Sequence, residues 1–143
     1  MLGIGKTCVF SSVKAHLLLN GKPVAHAKVR REWNWNKPNS DESTTDAQGY
    51  VTFPAVFESS ISRLLPIEIA ISQRLLVKVN GAFKEFWLND KREPGENEEY
   101  RGAPFDVVCE LTDAEKLINA PIGLGKLTAC KLNKGANEQM GQN

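Results

Sequence analysis

The sequence predicts an all-β protein: one antiparallel sandwich of about seven or eight short strands, with at most one short helix. Three observations carry that prediction. Apolar residues recur at every second position in several separate stretches, the period of a strand with one buried face. Turn-forming pairs punctuate these stretches, Asn20-Gly21 and Asn80-Gly81 most clearly. No stretch carries the apolar spacing of a long amphipathic helix.

The chain's 143 residues leave room for a single domain with a real core. Residues 1–12 read as an N-terminal segment, 13–132 as the sandwich and 133–143 as a disordered tail. Val13, Ala15, Leu17 and Leu19 alternate with Lys14, His16 and Asn20, a half-buried strand. Asn20-Gly21 then turns the chain, and Pro23 keeps it from returning at once to central pairing. Ala25, Ala27, Val29, Arg31, Trp33 and Trp35 share one face of the next strand, opposite His26, Lys28, Arg30, Glu32, Asn34 and Asn36. Arg31 is the exception on that apolar face. Either the strand runs past the core there, or the Arg31 stem packs along Trp33.

Asn36 to Thr45 reads as a polar loop. Asp46-Ala47-Gln48-Gly49 reads as a tight turn, in which Asp accepts from backbone amides and Gly takes a positive φ. Val51 and Phe53 point inward until Pro54 ends that strand. Residues 55–66 lack alternation and read as a loop with a helical turn. From 67 to 79, Ile67, Ile69, Ile71, Leu75, Val77 and Val79 keep one parity, with Gln73-Arg74 marking a bulge or a break. Across Asn80-Gly81 two registers compete. A two-residue loop sets Val79 against Ala82, whereas a three-residue loop sets it against Phe83 and preserves the apolar face of "AFKEFWL". Asn89 to Pro104, "NDKREPGENEEYRGAP", reads as a long surface loop, too polar to pack. Phe105, Val107, Cys109 and Leu111 give another inward-facing strand. Thr112-Asp113-Ala114-Glu115 matches a capping box for a short helix or turn, and Gly125 to Asn133 supplies the last strand.

Charge narrows the function. Lys plus Arg number 18 against 17 Asp plus Glu, so no global field draws the chain to nucleic acid or an anionic membrane. No apolar run is long enough to span a bilayer. The amino terminus lacks the pattern of a secretory signal, which predicts a cytoplasmic protein, or a periplasmic one if a signal was removed. Cys8, Cys109 and Cys130 form no C-x-x-C pair. Reduced, buried thiols are the first reading; a Cys109–Cys130 bridge between neighbouring strands, needing an oxidising compartment, is the second. His16 and His26 complete no metal-ligand set, and no cofactor is expected.

Two of these segments, "VKAHLLLNGKPVAHAKVR" and "TTDAQGYVTFP", carry a resemblance. Gly21, Pro23, Val24, Ala27, Val29, Thr45, Asp46, Gly49, Val51 and Phe53 fit the pattern of carboxypeptidase-regulatory-like, transthyretin-like (prealbumin-like) β-sandwich domains. More narrowly, with "VVCELTDAEK" and "LTACKLN", the chain resembles a bacterial family of small stand-alone proteins of this type. The resemblance implies a fold; its residues are turn and packing residues and nominate no active site. A ureide hydrolase of the same fold carries His/Arg/Ser signatures that are absent from this sequence.

Candidate sites therefore rest on binding chemistry. "GIGK" at 3–6 and "GLGK" at 123–126 lack the spacing of a phosphate loop, and no nucleophile or zinc motif appears. Trp33 and Trp35, two residues apart, form either part of the core or an exposed platform. Arg31 would then lie on its rim and Trp87 nearby. The acidic stretch with Glu96, Glu98, Glu99 and Tyr100 would steer a basic partner. These features favour a non-enzymatic protein-binding module of a bacterium, an immunity or adaptor protein that blocks a toxin or effector. The alternative is a carbohydrate-binding module using the tryptophans.

Overall fold

The computed structural model describes residues 6–59, 69–118 and 125–133. These residues are all-β: thirteen strands and a single turn of 3-10 helix, with no α-helix among them. In chain order the strands are β1 (Lys6–Phe10), β2 (Val13–Leu19), β3 (Lys22–Pro23), β4 (Lys28–Asn34), β5 (Pro38–Thr44), β6 (Tyr50–Phe53) and β7 (Val56–Ser59). After them come β8 (Ile71–Val79), β9 (Ala82–Lys91), β10 (Phe105–Glu110), β11 (Lys116–Ile118), β12 (Lys126–Thr128) and β13 (Cys130–Leu132). The count exceeds the expected seven or eight because several strands hold only two or three residues.

A five-stranded sheet runs β13-β10-β2-β3, with β6 also on β2; a six-stranded sheet runs β11-β12-β9-β8-β4-β5; β1 and β7 pair separately. The sheets are mixed rather than wholly antiparallel, because β10 lies parallel to β2, Phe105 opposite Val13 and Glu110 opposite Leu18. These two strands are far apart in sequence, so no hairpin fixes their relative direction.

Alternation decides which faces meet. Val13, Ala15 and Leu17 of β2 and Phe105, Val107 and Cys109 of β10 share one core with Val29 and Trp33 of β4 and Leu75 and Val77 of β8. Trp87 and Phe105 approach to 4.7 Å between ring centroids across that core. Phe10 sits among them, 5.7 Å from Trp87 and 6.3 Å from Trp33. Residues 1–12 are thus not all a peripheral segment: Thr7 to Phe10 of β1 are buried.

Both Asn-Gly pairs make two-residue hairpin loops with positive φ at each central residue, 54° and 77° at Asn20-Gly21 and 54° and 81° at Asn80-Gly81. Val79 therefore faces Ala82, the shorter of the two registers. A β-bulge then restores the apolar face. Leu75 pairs with Trp87 while Leu76 pairs with Glu85, so Phe86 is the extra residue and Phe86 and Trp87 are both buried. The bulge lies on β9; β8 runs unbroken through Gln73-Arg74.

Other expectations change in detail. The expected strand from Ala25 begins only at Lys28, after His26 adopts φ 57°. Asn36 to Thr45 is not a loop, since Pro38–Thr44 forms β5 and pairs along the whole of β4. Its polar side chains suit an edge strand, where one row of backbone groups faces solvent. Val56–Ser59 is β7, paired with β1, while residues 60–66 and Ile67 lie outside the described residues. Thr112 to Glu115 turns into β11 without a helix. The last strand divides at Ala129: β12 adds to β9 of the six-stranded sheet, and β13 adds to β10 of the five-stranded one. Ala129 N–H donates to Phe86 O at 3.0 Å at this crossing. Apart from Asn133, the expected tail lies outside the described residues.

Candidate functional site

The aromatic platform is not at the surface. Trp33 and Trp35 are 7% and 8% exposed and Trp87 is fully buried, so all three are core residues. The apolar face of β4 stays covered to its end because the β1–β7 pair lies over it; Trp33 Nε1 donates to Glu58 of β7 at 2.9 Å. Arg31 is also completely buried. Its guanidinium lies 4.7 Å from the Phe53 ring, 4.9 Å from Phe10 and 5.4 Å from Trp33. It forks onto Asp41 of β5 at 3.0 and 2.7 Å and donates to Pro54 O at 2.8 Å. The strand therefore does not run past the core at Arg31; the guanidinium itself lies among the Phe53, Phe10 and Trp33 rings. Arg31 ties β4 to β5 and to the core, and is no rim residue.

The charged stretch from Asn89 to Pro104 also differs from expectation. Because the β9 bulge reverses parity, Asn89 and Lys91 point inward and are buried. Lys91 Nζ donates to three carbonyls, Cys8 O at 2.8 Å and Glu93 O and Gly95 O at 2.7 Å. Burial lowers its pKa, against the pull of Glu99. Glu99, in the one-turn 3-10 helix Glu98–Tyr100, is 1% exposed. Its carboxylate accepts from Ser11 N–H at 3.0 Å, Ser11 Oγ at 2.5 Å and Gln73 Nε2 at 2.9 Å. Asn89 Nδ2 donates in turn to Gln73 Oε1 at 2.8 Å, and Asn97 N–H donates to Ser11 Oγ at 2.7 Å. Tyr100 OH accepts from Trp87 Nε1 at 3.0 Å, and burial pushes its pKa up to about 12.

The segment after Lys91 is therefore fastened to the core by two buried charges rather than solvated throughout. Glu99 leaves the candidate surface, Glu96 and Glu98 remain exposed on it, and Glu93 stands exposed beside them. Gln73 shares parity with Ile71 and Leu75, which would have set it inward had Gln73-Arg74 not read as a bulge or a break. Lys91 could not be placed inward without the bulge.

On the outer face of the six-stranded sheet a groove of about 410 Å³ opens, lined chiefly by Glu32, Asn34, Pro38, Ser40, Ser72 and Arg74. Beside it runs a charge ladder across the strands: Arg74 reaches Glu85 at 3.2 Å and Glu32 at 3.1 Å, and Arg30 reaches Glu32 at 3.6 Å and Glu42 at 3.4 Å. On the other sheet His16 stacks on Tyr50 at 4.1 Å and its Nε2 bonds Gln48 O, while His26 is exposed. No cluster able to hold a metal occurs among the described residues.

Cys109 and Cys130, register partners on β10 and β13, are joined by a disulfide, which corrects the reading of three reduced thiols. Cys8 is free and buried, and burial raises its pKa. No helix of the described residues is long and apolar enough to cross a membrane.

No curated protein and no solved structure matches the chain. Residues 13–114, from the start of β2 through the fastened acidic segment to the end of the turn after β10, match a domain of unknown function, DUF6795, and the chain belongs to that family.

Proposed function

We propose that the protein is a non-enzymatic binding module of a bacterium, a domain of transthyretin-like architecture that docks a protein partner and blocks it, as an immunity or adaptor protein does. One observation carries this reading: Glu93, Glu96 and Glu98 stand exposed on a segment that Lys91 and Glu99 hold in place. A preorganised acidic surface loses little conformational entropy on docking, and it steers a basic partner before contact. The turn geometry at Gly21, Asp46 and Gly49 supports the transthyretin-like part of the reading. The non-enzymatic part is supported by the engagement of the buried charges Arg31, Lys91 and Glu99 with structural partners. The Cys109–Cys130 bridge favours the periplasm over the cytoplasm. With Trp33 and Trp35 in the core, a sugar platform built on them has no support.

The test is affinity capture from native cells, followed by binding kinetics on the captured protein at two salt concentrations. Reversing Glu93, Glu96 and Glu98 to Lys should slow association about tenfold at low salt and flatten its salt dependence, with dissociation nearly unchanged. An association rate indifferent to the reversal rejects this surface.

A further inference from the structure

We infer that the outer face of the six-stranded sheet carries a binding site for a neutral, hydroxyl-rich ligand, a segment of a glycan chain, in the groove across β5, β4 and β8. Register places its residues. Pro38, Asn34 and Ser72 lie side by side in one row, and Ser40, Glu32 and Arg74 in the next. Short side chains at Asn34, Ser40 and Ser72 keep the rows low, which leaves the 410 Å³ trough. That volume lies within the range of small-molecule sites.

The lining chemistry selects the ligand class. Glu32 holds Arg74 at 3.1 Å and Glu85 holds it at 3.2 Å, so the one cationic group of the groove is already neutralised. A phosphate finds no open cation here, and a metal ion finds no ligand cluster among the described residues. The side chains of Asn34, Ser40 and Ser72 make no hydrogen bond among the described residues, and together they offer both donors and acceptors. Amide and hydroxyl groups fixed at strand spacing suit adjacent sugar hydroxyls, which both donate and accept, while the Pro38 ring offers an apolar surface to the C–H edge of a sugar. Strands hold such groups more rigidly than loops do. The site shares no residue with the acidic segment and does not depend on the protein-docking reading.

The experiment is a glycan array of neutral and anionic oligosaccharides, followed by NMR titration of the isotopically labelled protein with the best neutral binder. Binding should move the backbone amides of residues 32–40 and 72–74. Ser72→Trp, which fills the trough from a strand position that accepts an aromatic, should weaken binding at least about tenfold. Asn34→Ala should weaken it several-fold, both variants keeping the parent melting temperature. Reversal of Glu93, Glu96 and Glu98 should leave it unchanged. The inference is overturned if no neutral glycan moves those amides at about 10 mM. Binding of anionic glycans alone, or equal binding by Ser72→Trp and Asn34→Ala, overturns it too.

Discussion

Arg31 shows how one side chain can be misfit by pattern and well placed by chemistry. Its position on an apolar face was visible in the sequence, but its partner was not, because Asp41 sits in a stretch whose polarity suggested a loop. The guanidinium is fully buried, whereas the Asp41 side chain is 35% exposed. That difference makes the pair asymmetric. Asp41→Ala leaves a buried cation without its counter-charge and should cost about 2–4 kcal/mol. Arg31→Met replaces the cation with an apolar stem against Phe10 and Phe53 and leaves Asp41 to water, so it should cost about 1 kcal/mol or less. Urea unfolding of the two variants measures the difference; a larger loss for Arg31→Met than for Asp41→Ala would show that the ring contacts, not the ion pair, dominate. Glu99 teaches the converse. Nothing in "GENEEY" separates the one buried carboxylate from its exposed neighbours, since a single 3-10 turn sets which of them faces Ser11 and Gln73.

Among the elements, the two Asn-Gly hairpins were legible because their positive φ demands those residues. The Asp46–Gly49 turn was legible for the same reason: Asp46 Oδ1 accepts from Gln48 and Tyr50 N–H, and a Cβ on Gly49 would lie 2.7 Å from Leu17 O. The β9 bulge and β5 were not, since one depends on pairing with β8 and the other takes its strand conformation from β4. The final segment belongs with them. A strand that changes sheets at Ala129 leaves no mark in alternation, yet its Cys130 lands opposite Cys109. The bridge closes a sequence separation of 21 and fastens the three-residue β13. Denatured without reductant, the protein should show one reactive thiol, Cys8, and three after reduction. Reduction should lower stability by about 3 kcal/mol, the value for a loop of this length. Three reactive thiols in the unreduced protein would remove the bridge.

At the scale of the whole molecule, the all-β class followed from periodicity, while the parallel β2–β10 pair did not, because local pattern carries no information on how distant strands meet. The groove leaves no mark in the sequence for a related reason: its residues come from three strands and include β5, whose polarity reads as a loop. The assembled sheets also bring together titrating groups whose effects on stability oppose one another. Glu110 accepts from Thr112 Oγ1 and from the N–H groups of Gly21, Asn20 and Thr112, which lowers its pKa from 4.5 to about 2. Asp46, bonded to its own turn, is lowered as well. Both favour the folded state above their unfolded pKa values, and that contribution is lost as the pH falls towards 2. Glu115 acts the other way. Its Oε2 is buried beside Glu85, and the two carboxyl groups can share a hydrogen bond only while Glu115 keeps its proton. Burial first, and then the Glu85 charge, raise its pKa to about 7, against the weaker pull of Lys84 and Arg74. Its proton therefore stabilises the fold fully below about pH 4.5, and that contribution disappears as the pH rises through 7. The melting temperature should accordingly climb from pH 2, peak near pH 5 and decline towards neutrality. Glu115→Gln, which keeps a neutral, hydrogen-bonding group in that place, should flatten the decline between pH 5 and 8 and leave the acid limb intact. Glu110→Gln should reduce the acid limb and leave the neutral one. A parent melting profile that rises steadily from pH 5 to 8 would mean that Glu115 is ionised in the folded protein throughout that range.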